Sequence, residues 1–326
     1  MIRFCLALLL GLATGLNSTL VQAADNNTGS EAKQTVKTET TGSDEQARPK
    51  KTVDLAYGAF QRGFYLTAFA HAVIEAGKGD QAAQTLLGEI YSKGLGVPRD
   101  QTKAIQWYQI ASNTGDPEAQ IALALIYLRG DGTEKNLEKG VHWLKKSAEA
   151  EQPTALYNLA RLYLSGTGVK KDEAEAARLM KKAADLEEPE AQYGIAQLYH
   201  HGIGLKQSDG LATFWYGKAA RAGQIDAQVE YATALFQGRG IATDQKRAAL
   251  WFLTAAQSGH VIARNRIARL YATGFGIEQD LTSAATWHFL ASAAGLKDDE
   301  LDLMVTRLTL GERRRATERA RILSGR

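Results

Sequence analysis

From Ala83 onward the apolar and small residues keep one phase. In the stretch Ala83 to Gly115, AQTLLGEIYSKGLGVPRDQTKAIQWYQIASNTG, residues 83, 87, 90 and 91 are apolar and share one face of a helical wheel. Residues 104, 107, 108 and 111 do the same further on, and the intervening positions are mostly polar. The pattern predicts two amphipathic helices joined by a short loop. The whole stretch then recurs, with Ala83 returning as Ala119, Ala155, Ala191, Ala227 and Ala263, a constant step of 36 residues without insertion or deletion. One hairpin cannot bury its apolar stripe alone, whereas stacked neighbours can, so six copies predict an all-α, α/α superhelical solenoid.

Aligned columns show how each hairpin is punctuated. Paired glycines stand at Gly94/Gly96, Gly130/Gly132, Gly166/Gly168, Gly202/Gly204, Gly238/Gly240 and Gly274/Gly276, where the chain must reverse between helices. Four residues later comes Asp100, Asn136, Asp172, Ser208, Asp244 or Asp280, each suited to accept the free N–H groups that open the second helix. Pro117, Pro153 and Pro189 occupy the first turn of the first helix, where a missing N–H costs nothing. All five tryptophans fall in one column (Trp107, Trp143, Trp215, Trp251 and Trp287), with Leu179 in the remaining copy, and read as repeat core. Small residues at Gly88, Ala124, Ala160, Ala196, Ala232 and Ala268 let the two helices of a hairpin approach closely.

The combined pattern, A-x-x-x-L-G/A-x-x-Y-x-x-G-x-G-V/I followed by an aspartate and K/R-A-x-x-W-x-x-x-A-A, resembles the Sel1-like repeat, a relative of the tetratricopeptide repeat. That family consists mainly of binding scaffolds and adaptors. By analogy with tetratricopeptide repeats, the first helix of each pair lines a concave face, with groove columns at 85, 89 and 92. Residues in these columns vary between copies, as expected where packing does not dictate identity. The middle copies gather Tyr157, Arg161, Tyr193, Gln197, His200 and Phe236, and tyrosine and arginine are residue types that anchor interfaces. These six residues form the candidate partner site, with Arg161 placed to pair a partner carboxylate.

The flanking segments read differently. Met1 to Ala23 has a basic start at Arg3, an apolar run from Phe4 to Ala13 too short to span a bilayer, and Val21-Gln22-Ala23 as a cleavage site, which together describe a secretory signal. Residues 24–52 are polar and charge-balanced, a linker composition. Residues 53–79 are a degenerate capping hairpin lacking the glycine loop, with Gly63 making a tighter turn. Residues 296–326 leave the period; Thr309 and Glu312 form a capping box, and Leu308, Leu310, Ala316 and Leu323 are available to cover the last repeat. Arg313, Arg314, Arg315, Arg319 and Arg321 decorate that final helix, as a solvated cap or a contact for an anionic partner. The expectation is an exported, periplasmic protein with no membrane span once the signal is removed.

Composition narrows the function classes. A net charge of +3 spread over both signs leaves no basic, aromatic-interleaved stripe for nucleic acid. Cys5 is the sole cysteine and lies in the signal, so the mature chain has no thiolate ligand and lacks the cysteine pairs of Sel1-type proteins linked to β-lactam chemistry. The six histidines form no H-E-x-x-H motif, and adjacent His200 and His201 diverge on a helix, so no metal site is expected. No cofactor signature and no G-x-S-x-G elbow occur. The sequence therefore reads as a non-enzymatic scaffold for a protein or peptide partner. A regulator docking on a membrane sensor's ectodomain is an alternative within the binding class, and an envelope hydrolase is the rival from another class.

Overall fold

The computed structural model describes residues 55–325, and the signal and linker readings fall on residues outside that range. A short leading hairpin, α1 (Leu55–Gln61) and α2 (Tyr65–Gly77), precedes the repeats. Six hairpins of two thirteen-residue helices follow: α3 (Gln81–Lys93) with α4 (Gln101–Asn113), α5 (Pro117–Arg129) with α6 (Leu137–Glu149), and α7 (Pro153–Ser165) with α8 (Glu173–Asp185). Then come α9 (Pro189–His201) with α10 (Asp209–Arg221), α11 (Ile225–Gln237) with α12 (Gln245–Gln257), and α13 (Val261–Thr273) with α14 (Leu281–Ala293). Two closing helices, α15 (Asp299–Thr306) and α16 (Leu310–Leu323), end the stack. There is no strand among the described residues, and no helix is long and apolar enough to cross a membrane. From α1 to α14 each helix packs chiefly on its chain neighbours, the arrangement of a superhelical repeat array, and α16 folds back onto α14.

The punctuation works as the residues imply. Asp100, Asn136, Asp172, Ser208, Asp244 and Asp280 each accept a backbone N–H from the first turn of the second helix. The first glycine of every pair is the left-handed C-cap of the first helix. The second glycine has a different task. At Gly204, Gly240 and Gly276 a Cβ would collide with the carbonyl oxygens of Glu173, Asp209 and Gln245, at the start of the preceding second helix. The loop of one repeat therefore lies directly against the helix start of the repeat before it, a contact only glycine permits.

Burial follows the columns. Ala119, Ala155, Ala191, Ala227 and Ala263 are fully buried, as are Leu87, Ile195 and Ile267 in the adjoining column. Trp143, Leu179, Trp215 and Trp287 are buried, whereas Trp107 and Trp251 are half-buried. The hairpin turns carry one departure: their left-handed position is Gly79, Gly115, Gly223, Gly259 and Gly295 elsewhere, but Glu151 (φ 56°) and Glu187 (φ 64°) in the middle of the array.

The two ends differ. Ala59, Ala68, Ala72 and Ala76 of the leading hairpin are buried, yet Leu55, Tyr57, Phe64, Leu66 and Ile74 are exposed. At the other end, Asp298 is buried and accepts from Asn265 Nδ2 at 2.6 Å and from Arg269 Nε and Nη2 at 2.7 and 2.9 Å. This ties α13 to the N-terminus of α15. The Thr309–Glu312 capping box is formed, and Leu308 and Ala316 are buried. Leu310 and Leu323, expected to help cover the last repeat, are instead exposed, because α16 turns only its alanine-bearing face toward α14. Of the arginines there, Arg313 donates to the Leu308 and Thr306 carbonyls and Arg321 pairs with Glu318.

Candidate partner-binding groove

Successive first helices lie side by side, and the three candidate columns fall at different depths between them. Column 85 sits lowest: Ile121, Val229 and Asn265 are buried, and Tyr157 and Tyr193 are half-buried. Packing therefore does constrain this column, contrary to the sequence expectation, because it lies in the seam between hairpins. Column 92 reaches toward the hairpin's own second helix, as in Ser92 Oγ to Gln101 Oε1 at 3.2 Å and His200 Nδ1 to Asp209 Oδ1 at 3.0 Å. Column 89, like column 92, is part-exposed in every copy, with Glu89, Arg161 and Arg269 among its members.

The six candidate residues form local groups along the array. Arg161 lies over the Tyr157 ring, its guanidinium carbon 5.5 Å from the centroid, and forms no ion pair among the described residues. Gln197 Nε2 donates to Tyr193 Oη at 2.8 Å, and its Oε1 meets His201 Nε2 at 3.2 Å. The Tyr193 ring packs 5.9 Å from that of Tyr216, so Tyr193 is partly a core residue rather than a free groove residue. Burial, with lesser effects from Asp226 and Glu230, pushes its hydroxyl up to about 12. His200 faces Asp209 through Nδ1 and Arg239 Nη1 through Nε2 at 3.3 Å, and Arg239 Nη2 also reaches Glu230 at 3.3 Å. A neutral ring with its proton on Nδ1 satisfies both contacts. The His200 and His201 rings are neighbours at 4.7 Å but are engaged by different partners. Phe236 stands apart from these groups, one repeat further along.

Sequence reasoning missed the carboxylates around the tyrosines. Glu188 precedes α9 but does not cap it; its carboxylate accepts from Thr154 Oγ1 at 3.2 Å instead. Burial, then the neighbouring charge of Glu190 and of Glu118, holds Glu188 above the usual carboxylate range. Burial likewise raises Glu118, assisted by Asp116. Tyr157 is raised mainly by burial and also by Glu190 and Glu188. Glu118, Glu188 and Glu190 form no ion pair among the described residues. Around Tyr157, Arg161 therefore stands among carboxylates, Glu188 and Glu190, that the sequence reading did not include. The available signal was the Pro-Glu pair at Pro117-Glu118 and Pro189-Glu190, with Glu188 just before the second.

Among the described residues, no group of three His, Cys, Asp or Glu side chains is placed to hold a metal ion. What this face offers is area, aromatic rings and uncompensated charge distributed over several repeats.

Fold and face together define a helical-hairpin repeat protein with a varied first-helix surface. The chain belongs to the Sel1 repeat family, whose model matches residues 81–116, 117–151, 153–187, 189–224, 225–260 and 261–296. Among solved structures it is similar to a protective antigen present in uropathogenic Escherichia coli strains that displays an SLR fold, with 26% identity and a TM-score of 0.71. The match covers 83% of this chain but only 61% of that antigen. It is also similar to a Sel1 repeat protein from Oxalobacter formigenes, with 30% identity and a TM-score of 0.64 over 76% of this chain and 100% of that one. No curated protein matches the chain.

Proposed function

We propose that this protein is an exported, periplasmic scaffold that holds an extended segment of a partner protein across its first helices, without catalysing a reaction. The observation that carries this reading is a set of charged groups without an ion pair among the described residues: Arg161, Glu188 and Glu190 around the half-buried Tyr157, with Glu118 next to Glu188. Charges left unpaired beside aromatic area are what a partner with complementary charge can use for affinity and register. The polar groups are strung along the array as local pairs rather than converging on one reacting atom, which favours a binder over a hydrolase.

The test begins with crosslinking in the intact envelope to identify the partner, followed by affinity measurement with purified proteins. Replacing Tyr193, as the bare sequence would suggest, disturbs its packing on Tyr216, so the informative variant inverts surface charge instead. Arg161→Glu combined with Glu190→Lys should leave the melting curve unchanged. It should weaken binding by about 2 kcal/mol, roughly thirtyfold in dissociation constant. An unchanged dissociation constant would remove this face from the interaction.

A further inference from the structure

Between α11 and α13 the seam opens into a pocket of about 300 Å³, walled by Phe236, Phe252, Leu270 and Phe275 with Arg266 beside them. The repeat period shows what is unusual here. One repeat earlier, the positions equivalent to Phe236, Phe252, Arg266 and Phe275 are His200, Tyr216, Glu230 and Arg239. There, Arg239 closes the seam by bridging His200 and Glu230, each at 3.3 Å. In the α11–α13 seam every member of that bridge is exchanged. Phenylalanine replaces the histidine, the tyrosine and the bridging arginine, and Arg266 stands where the carboxylate stood.

Two consequences follow from the exchange. Arg266 is exposed and has no ion pair or hydrogen bond among the described residues, whereas nearby Arg269 is already engaged by Asp298 and Glu300, each at 2.7 Å. Phe275, on the loop between Gly274 and Gly276, leaves 53% of its surface exposed beside buried Phe252 and half-buried Phe236. The pocket thus combines three aromatic walls, room for one large side chain and one uncompensated guanidinium.

We infer that this pocket anchors a partner segment in which a large aromatic side chain is followed directly by aspartate or glutamate. The ring would enter among Phe236, Phe252 and Phe275, where offset and edge-to-face contacts are favourable, and the carboxylate would meet Arg266. A lysine at the second position would face like charge. The inference rests on the reading of the first-helix face as a partner surface and adds a chemical class of ligand at the Phe236 end of that face, one repeat beyond the Tyr193 and His200 groups.

The probes are short fluorescein-labelled Gly/Ser peptides with a central Trp-Asp, Trp-Lys or Ala-Asp pair, measured against the purified protein by fluorescence polarisation. The Trp-Asp peptide should bind saturably, at least about tenfold more tightly than the other two. Arg266→Glu should reverse the order of the Trp-Asp and Trp-Lys peptides, a result that mere loss of structure cannot produce. Phe275→Ala, on an exposed loop, should weaken both tryptophan peptides. Arg161→Glu with Glu190→Lys should leave Trp-Asp binding unchanged, which separates this pocket from the mid-array site. Absence of saturable binding, or an order untouched by Arg266→Glu, would overturn the assignment.

Discussion

Glu187 shows how one residue can work against its own column. Its φ of 64° is a conformation that five other copies assign to glycine. A side chain in the left-handed region costs about 1–2 kcal/mol, partly offset by the greater unfolded-state freedom of glycine. Glu187→Gly should therefore raise stability by about 0.5–1 kcal/mol, visible as a higher urea midpoint at unchanged slope. Glu151, similarly placed, is a poorer test because it pairs with Lys182 at 2.9 Å. The tryptophan column offers a second prediction with an internal control. Trp215 is buried and packed among α8 to α11, so Trp215→Ala should cost about 3–5 kcal/mol. Trp107 is only half-buried, and its replacement should cost clearly less. Equal urea midpoints for the two variants would show that the column is not graded by burial.

Among the elements, the joint between α13 and α15 carries the most concentrated electrostatics. Burial would raise the Asp298 carboxyl, but hydrogen bonds from Arg269, Asn265 and the Leu301 amide outweigh it and hold the group below its ordinary value. A carboxyl whose pKa is lower in the folded state contributes stability that is present above the unfolded value, near 3.9, and lost as pH falls through the folded one. Stability should therefore decline as pH drops below about 4, and Asp298→Asn should flatten that dependence. At neutral pH the same substitution should cost about 2–3 kcal/mol, since Arg269 remains partly solvated. Thermal melts of both proteins across acidic pH would check both statements. Because neighbouring repeats stabilise one another, the loss should register first as fraying of α15 and α16, measurable by amide hydrogen exchange.

For the whole molecule, export predicts that N-terminal sequencing of the mature protein begins at or near Ala24; an intact N-terminus retained in the membrane would contradict it. Most of the architecture was legible in the residues themselves. The 36-residue period, the caps from Asp100 to Asp280, the glycine pairs and the buried alanines are local rules repeated, and a solenoid is little more than such rules stacked between adjacent hairpins. The site was only partly legible. Sequence columns located Tyr157, Arg161 and Gln197 on the first-helix face, but they could not show that Tyr193 leans on Tyr216 or that Glu188 abandons its cap for Thr154. Nor could they show that His200, Glu230 and Arg239 meet across a seam that Phe236, Phe252 and Phe275 leave open one repeat later. Those relations join side chains on successive hairpins, and their distances depend on how tightly each loop lies against the preceding helix. Periodicity determined which residues share a face. Only the packing of one repeat on the next decided which charges were neutralised and which were left without an ion pair.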